Sequence, residues 1–333
     1  MRSGDTLEGK PNLPKCKGYL NTNRKNYNTE TGHCIMDFVA DAMTEFLPDR
    51  RGLPAIHLAV LLFGFPGLFV RWLPFSPPWI VLGRVVFASL ALAAVIAARK
   101  ISFRMAPGRD LFLCALCGII LAVHWTAFFE AVRVSSVAVG LLSYATFPAF
   151  TVFLEPLFER KRPDAANVLF SGLTLVGVFL IVPRFTLGEP VLLGVLWGLA
   201  SGATFAVLAI LNRKLSRRHS SLRIAFYQDL FAGAALLPVA IGGIPRISGS
   251  DLALLVVLGV FCTALAHTLF IRGMRGLTAQ TASLIASLEP VYGIFFALVL
   301  LGERPTARTL LGGAIIFGAV LLVTLRTAGR RIT

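Results

Sequence analysis

The chain has 333 residues, 56% hydrophobic and only 15% charged, with a mean hydropathy of +0.75 and a formal net charge of +15. Soluble proteins carry about 25% charged residues, so there are too few charges here to cover a soluble fold of this size, and lipid is the solvent that the composition fits. The basic excess does not indicate nucleic acid, because Lys and Arg fall in alternate gaps between apolar runs rather than in one patch.

Residues 1–50 are polar, unperiodic and rich in Asn, Lys, Thr and Gly, and read as a disordered cytoplasmic tail. Their first thirty residues contain no signal-peptide apolar stretch. Apolar runs then follow over Pro54–Leu73, Pro78–Ala98, Asp110–Val132, Val137–Phe158, Asn167–Pro183, Val191–Leu211, Leu222–Ile241, Leu252–Ile271, Thr278–Leu301 and Thr309–Leu325. Most approach the twenty or so residues that cross a bilayer core as a helix. The expectation is an all-α integral membrane protein with ten transmembrane helices. Pro66, Pro148 and Pro290 lie inside runs. Pro148 and Pro290 are read as helix kinks, tolerated where neighbours satisfy the freed carbonyls.

Charge orients the runs. From Arg50 onward, leaving out Arg84 inside the second run, 19 Lys and Arg flank one set of alternate gaps and 6 the other. Cytoplasmic loops carry the excess, so both termini are expected in the cytoplasm, an even number of crossings apart.

The chain also repeats itself. Offset by 142 residues, Leu142 matches Leu284, Pro148 matches Pro290, Phe153 matches Phe295, and Arg162–Pro163 matches Arg304–Pro305. Gly118 and Phe129 match Gly259 and Phe270 at an offset of 141. Two five-helix halves result, over residues 54–184 and 190–326, with 327–333 as a cytoplasmic tail. An odd helix count makes the halves enter the membrane in opposite senses, giving two inverted five-helix repeats with a mid-membrane site between them.

The segment "TASLIASLEPVYGIFFALVLLGERP" from Thr281 to Pro305 pairs Glu289–Pro290 with Leu301–Gly302–Glu303 about twelve residues on. In this it resembles the EamA-type transporters of the drug/metabolite transporter superfamily, and the resemblance covers roughly residues 54–326. The first half fits more loosely, with Phe147 where Glu289 would stand and "ERKRP" in place of the Leu-Gly-Glu pattern. The resemblance implies ten helices in a bacterial inner membrane and secondary transport of small metabolites, with export of amino acids or related compounds as the leading reading. Uptake of a vitamin or nucleoside-like compound is the alternative. An integral membrane enzyme acting on lipids is a reading of another class, disfavoured because the intramembrane acids are single and scattered. No Walker A sequence, H-E-x-x-H or clustered metal ligands occur. No catalytic residue, metal or cofactor is therefore expected. The partners are a small metabolite and the bilayer, and the oligomeric state is open between monomer and homodimer.

Ionisable groups inside spans are functional candidates by default. Glu289, next to Pro290, reads either as a proton-linked or amine-binding carboxylate or as a structural partner of backbone freed by the proline. His124 and His267 occupy roughly corresponding places in the halves and suit proton relay or interhelical hydrogen bonding. Trp125, Tyr144, Trp197 and Tyr292 join an apolar body to a polar handle and are candidate cavity residues. Tyr292, three residues after Glu289, shares its helix face. Gln228, with Asp229, is expected to line or cap the inner mouth, Arg84 to snorkel to the outer interface, and Glu130 and Glu155 to be interfacial or paired. Gly194, Gly198 and Gly202 form a close-packing stripe. Cys114 and Cys117 form a C-x-x-C inside an apolar run and read as small hydrophobes. Met36 and Met43, just before the first run, are alternative starts of translation. N-terminal sequencing of the native protein should find one of them, and a chain beginning at Met1 overturns the idea.

Overall fold

A computed structural model describes residues 52–105, 108–159, 165–182, 188–275, 282 and 285–329. The expected tail over 1–50 and the basic Arg160–Lys161–Arg162 gap lie outside the described residues. Among those described, regular structure is helical throughout. The helices are α1 (Gly52–Phe63), α2 (Pro66–Trp72), α3 (Pro77–Ala98), α4 (Arg109–Val134), α5 (Val137–Tyr144), α6 (Phe147–Glu159) and α7 (Ala165–Ile181). They continue with α8 (Pro190–Ser216), α9 (Ser221–Leu236), α10 (Gly249–Gly259), α11 (Ala266–Gly273), α12 (Glu289–Leu301) and α13 (Ala307–Gly329). A 3₁₀ turn, Leu237–Gly242, follows α9, and a π turn, Val260–Leu265, joins α10 to α11. The last helix extends past Leu325, so residues 327–329 of the expected tail are helical.

Among the described residues, seven helical stretches, some of them interrupted, are long and apolar enough to cross a membrane, and three shorter apolar ones lie at Gly172–Ile181, Glu289–Leu301 and Ala307–Ala319. Large apolar side chains such as Phe112, Leu169 and Phe179 are exposed along these helices. In water they would be a liability. On a multi-pass membrane protein they are the lipid-facing surface.

Local sequence sets where the helices start and break. Proline stands in the first turn of α2, α3, α8 and α12, where its missing N–H costs nothing. Ser136 caps α5 through the Val139 N–H, and Ser248 and Asp251 form a capping box on α10. The first run is broken at Gly64–Phe65, the fourth at Ala145–Thr146, and the ninth turns at Ser287–Leu288 before α12 begins. Pro148 and Pro290 each occupy the second position of the helix after the break, so each run is interrupted rather than gently kinked.

Close glycine contacts set how the helices pack, and they come in reciprocal pairs. Gly118 of α4 seats on Gln228, Phe231 and Ala232 of α9, while Gly259 of α10 seats on Arg84, Phe87 and Ala88 of α3. Gly52 of α1 meets Gly273 of α11, while Gly194 of α8 meets Ala131 of α4. Adding 142 turns Gly52 into Gly194 and Ala131 into Gly273, whereas Gly118 and Gly259 are 141 apart. The one-residue difference arises inside the π turn, which is a single-residue insertion into a helix. Beyond that turn the counterpart of Phe270 is Phe128, a correction to the Phe129 pairing that the sequence alone suggests.

The glycine stripe on α8 fits the same scheme. Gly194 faces Ser135, Gly198 faces Ser143, and Gly202 lies against the Tyr144 carbonyl. Cys114, Cys117 and Cys262 are buried and free.

A Cβ at Gly118 would lie 2.7 Å from the Gln228 carbonyl oxygen, with backbone on both sides. Gly118→Val should therefore cost about 1–3 kcal/mol through overpacking and lower the thermal midpoint in detergent by several degrees. Gly172→Ala, where an added Cβ meets nothing within 4 Å, should leave it unchanged.

Candidate functional site

The helix breaks and the π turn converge on one small internal cavity. Its lining comes from α3 (Arg84), α4 (Leu121, His124, Trp125, Phe128), α5 (Tyr144), α8 (Phe205, Leu208, Ala209, Asn212), α11 (His267, Phe270) and α12 (Glu289), closed by Phe63 and Pro66 at the α1–α2 break. The room left for the centres of water molecules is about 40 Å³, enough for a few waters and too little for a metabolite.

Arg84 is the largest fully buried side chain in the molecule's described part, 1% exposed. That overturns the expectation of snorkelling. It lies seven residues into α3, roughly 10 Å along the axis at 1.5 Å per residue, and instead points inward. Its Nε donates to the Thr263 hydroxyl at 2.9 Å and its Nη2 to the Cys262 carbonyl at 3.3 Å. Both acceptors belong to the π turn, and the Thr263 hydroxyl itself donates to the Leu258 carbonyl five residues back. The guanidinium carbon sits 4.0 Å over the Trp125 ring, a cation–π contact. Nη1 is buried without a hydrogen-bond partner.

Asp229 and Gln228 are fully buried, deeper than the inner mouth to which the sequence assigns them. Gln228 donates through Nε2 to the Asn212 amide oxygen at 2.6 Å, and so reaches the cavity through Asn212. Both Asp229 carboxylate oxygens lack hydrogen bonds, and Oδ1 lies 3.7 Å from Nδ1 of His267. Glu289 opens the first turn of α12, where the positive end of the helix dipole favours an acid. The Tyr144 hydroxyl faces its carboxylate. Arg84 lies near enough to both acids to feel their charge while bonding neither.

Of the sequence candidates, Glu289, His267, His124, Trp125 and Tyr144 therefore meet in one cavity. His124 Nδ1 lies 2.9 Å from the Ser201 carbonyl and 3.0 Å from its hydroxyl, which ties α4 to α8. His124, Tyr144 and Phe205 form a cluster of tilted and edge-to-face rings, and Trp125 meets His267 edge-on at 5.9 Å. Of the remaining three, Gln228 reaches the cavity only through Asn212, and Trp197 and Tyr292 are not brought in. Trp197 is 44% exposed on the outer side of α8. Tyr292 is half-buried against Gly64 at the α1–α2 break.

The ends of several helices are tied together by one polar cluster. Gly302 ends α12 at φ +68°, a left-handed conformation that favours glycine. The turn brings Glu303 back over the bundle, where Oε1 accepts from Arg71 Nε at 3.0 Å and Oε2 from the Val137 N–H at 3.0 Å. Arg71 also donates to the Ser135 carbonyl at 3.1 Å. The ends of α2, α4, α5 and α12 are thus clasped through one carboxylate, which gives the Leu-Gly-Glu sequence a physical role. Glu130 pairs with Arg133 three residues on. Away from this clasp, Asp110 at the start of α4 meets His219 at 2.9 Å, and Arg275 donates to the Ser216 and His219 carbonyls.

Comparison with known proteins bears on this architecture. The model of the EamA-like transporter family matches residues 50–182 and again 192–325. An "uncharacterized transporter" of Archaeoglobus fulgidus is 28% identical over 82% of this chain and 96% of its own length. A "probable terminal-alkyne amino-acid exporter" of Streptantibioticus cattleyicolor is 28% identical over 80% of this chain and 90% of its own. An "uncharacterized inner membrane transporter YicL" of Salmonella typhimurium is 25% identical over 84% and 97%. A solved crystal structure superposes with a TM-score of 0.63 at 21% identity, covering 84% of this chain and 98% of that one, which shows a shared fold. With two successive matches spanning most of its length, the chain belongs to the EamA-like transporter family.

Proposed function

We propose that this protein is a secondary-active exporter of small metabolites, amino acids or related compounds. It works by alternating access between two inverted five-helix repeats, residues 54–184 and 190–326. The observation that carries the reading is the cavity: small, lined from both halves and built where helices are interrupted. Interrupted helices at mid-membrane are where transporters of repeat architecture bind solute. Seven long and three shorter apolar helical stretches among the described residues support a count of ten crossings. The reciprocal glycine contacts are what two structurally equivalent halves would make. The amino-acid assignment draws support from opposite charges, Arg84 and Glu289, on one aromatic-walled cavity, and from the exporter name carried by the Streptantibioticus relative.

Both termini are assigned to the cytoplasm of a bacterial inner membrane, with the clasped Arg71–Glu303 end facing out. The state described is then closed outside and nearly collapsed at the centre. Glu289 is the candidate coupling group. Proton binding at a carboxylate that also faces solute lets a gradient set the direction of flux.

Two measurements test this. In a cysteine-free background, Ser248→Cys should react with an impermeant maleimide in intact cells, and Arg217→Cys only after permeabilisation; the reverse pattern overturns the orientation. In proteoliposomes, a panel of amino acids should show gradient-dependent flux, and Glu289→Gln should flatten its pH dependence while the thermal midpoint is kept. A pH profile identical to wild type removes Glu289 from coupling, and no flux across the panel counts against transport of this class.

A further inference from the structure

We infer that Arg84 Nη1 forms a carboxylate subsite, and that the solute is an organic carboxylate with an apolar or aromatic tail. The inference rests on the transport reading of the same cavity and specifies which chemical group the protein holds there.

A guanidinium carries five N–H donors in a fixed plane. Here that plane is pinned from three directions: Nε by the Thr263 hydroxyl, Nη2 by the Cys262 carbonyl, and one face by the Trp125 ring. Of the three nitrogens, Nη1 is left without a partner, buried, on a side chain that lines the cavity. An unpaired donor on a buried cation is costly, more so than a neutral one. The nearby acids could have removed that cost by pairing with it, yet neither Asp229 nor Glu289 bonds to Arg84. A carboxylate brought beside it would supply the missing acceptor, and charge-assisted bonds from arginine to a carboxylate are about twice as strong as neutral ones.

The rest of the lining fits what such an anion would carry. Phe63, Phe128, Phe205 and Phe270 surround the space beside Arg84 and offer an apolar or aromatic tail its surface. The π turn gives the subsite its rigidity. Both tethers of the guanidinium, the Thr263 hydroxyl and the Cys262 carbonyl, lie on this inserted turn. Thr263 is thus a positioning residue, acting on solute through Arg84.

The test uses the purified full chain in detergent and three acid–amide pairs: L-phenylalanine and L-phenylalaninamide, L-leucine and L-leucinamide, 3-phenylpropionate and 3-phenylpropionamide. Dissociation constants come from ligand-dependent thermal stabilisation. In wild type at least one acid should bind about tenfold or more tightly than its amide, the size expected for a bond to a charged group. The preference should vanish in Arg84→Gln and shrink at least severalfold in Thr263→Val, which keeps the cation and removes its tether. No acid preference in wild type overturns the inference, as does a preference that survives in Arg84→Gln. If Arg84→Gln fails to fold, Thr263→Val decides, and an unchanged preference there overturns it. Flux of the same six compounds in proteoliposomes separates the two readings. Flux without acid preference sinks the subsite and leaves transport standing; acid binding without flux sinks transport and leaves the subsite standing.

Discussion

A backbone carbonyl inside a bilayer has no water to turn to, so a helix can be interrupted there only where protein or an internal cavity supplies the partner. That constraint organises this molecule. The breaks at Gly64–Phe65, at Ala145–Thr146 and before Glu289, and the π turn at Val260–Leu265, all lie toward the interior rather than the lipid. Each delivers something to the cavity. The α1–α2 break brings Phe63 and Pro66, the end of α5 brings Tyr144, the start of α12 brings Glu289, and the π turn holds Arg84. Long unbroken helices such as α4 and α8 do the opposite work. They run through as rigid walls and contribute aromatic and amide groups from their inner faces.

Close packing makes those breaks hold their positions. Gly202 lies against the Tyr144 carbonyl and Gly198 against Ser143, so α8 braces the end of α5 where the chain turns. Gly64 allows α12 to approach the α1–α2 break near Tyr292 and Gly293. In lipid there is no hydrophobic drive between helices, and contact at this range is what holds them together. The Glu303 clasp adds a polar tie at one end. Its side chains are partly exposed, so its energetic worth is about 0–1 kcal/mol, small enough to be made and broken in the cycle proposed above.

The all-helical, two-repeat plan was legible in the sequence because hydropathy and repeated Pro and Gly positions are one-dimensional signals. The cavity was legible in part. Glu289, His124, His267, Trp125 and Tyr144 stand out as polar groups within apolar runs, and they converge. Arg84 and Asp229 were misplaced for one reason, which is that depth was judged from the end of a run rather than counted along it. Asp229 is eight residues past Ser221, about 12 Å of helix, too deep for a mouth. Trp197 and Tyr292 show the converse limit: a polar handle within a span does not say which side of the helix it is on. The π turn left a trace, the 141 against 142 offset, but two offsets in so weak a repeat cannot be told from chance until the glycine contacts fix the register.

The register also shows where the halves stop being alike. By the glycine contacts, Arg84 corresponds to Gln228, and beyond the π turn His267 corresponds to Trp125; at the plain offset, Glu289 corresponds to Phe147. Every charged or titratable group on this list has a neutral counterpart. A cavity that kept the repeat's symmetry would offer the same group twice, and would hold a molecule equally well in two opposed poses. Replacing one member of each pair removes that degeneracy. The cation stays on the first half and the acid on the second, so the site has a polar direction, as the recognition of a molecule with unlike ends requires. On the proposed transport reading, the shared scaffold supplies the motion and the differences between the halves the selectivity.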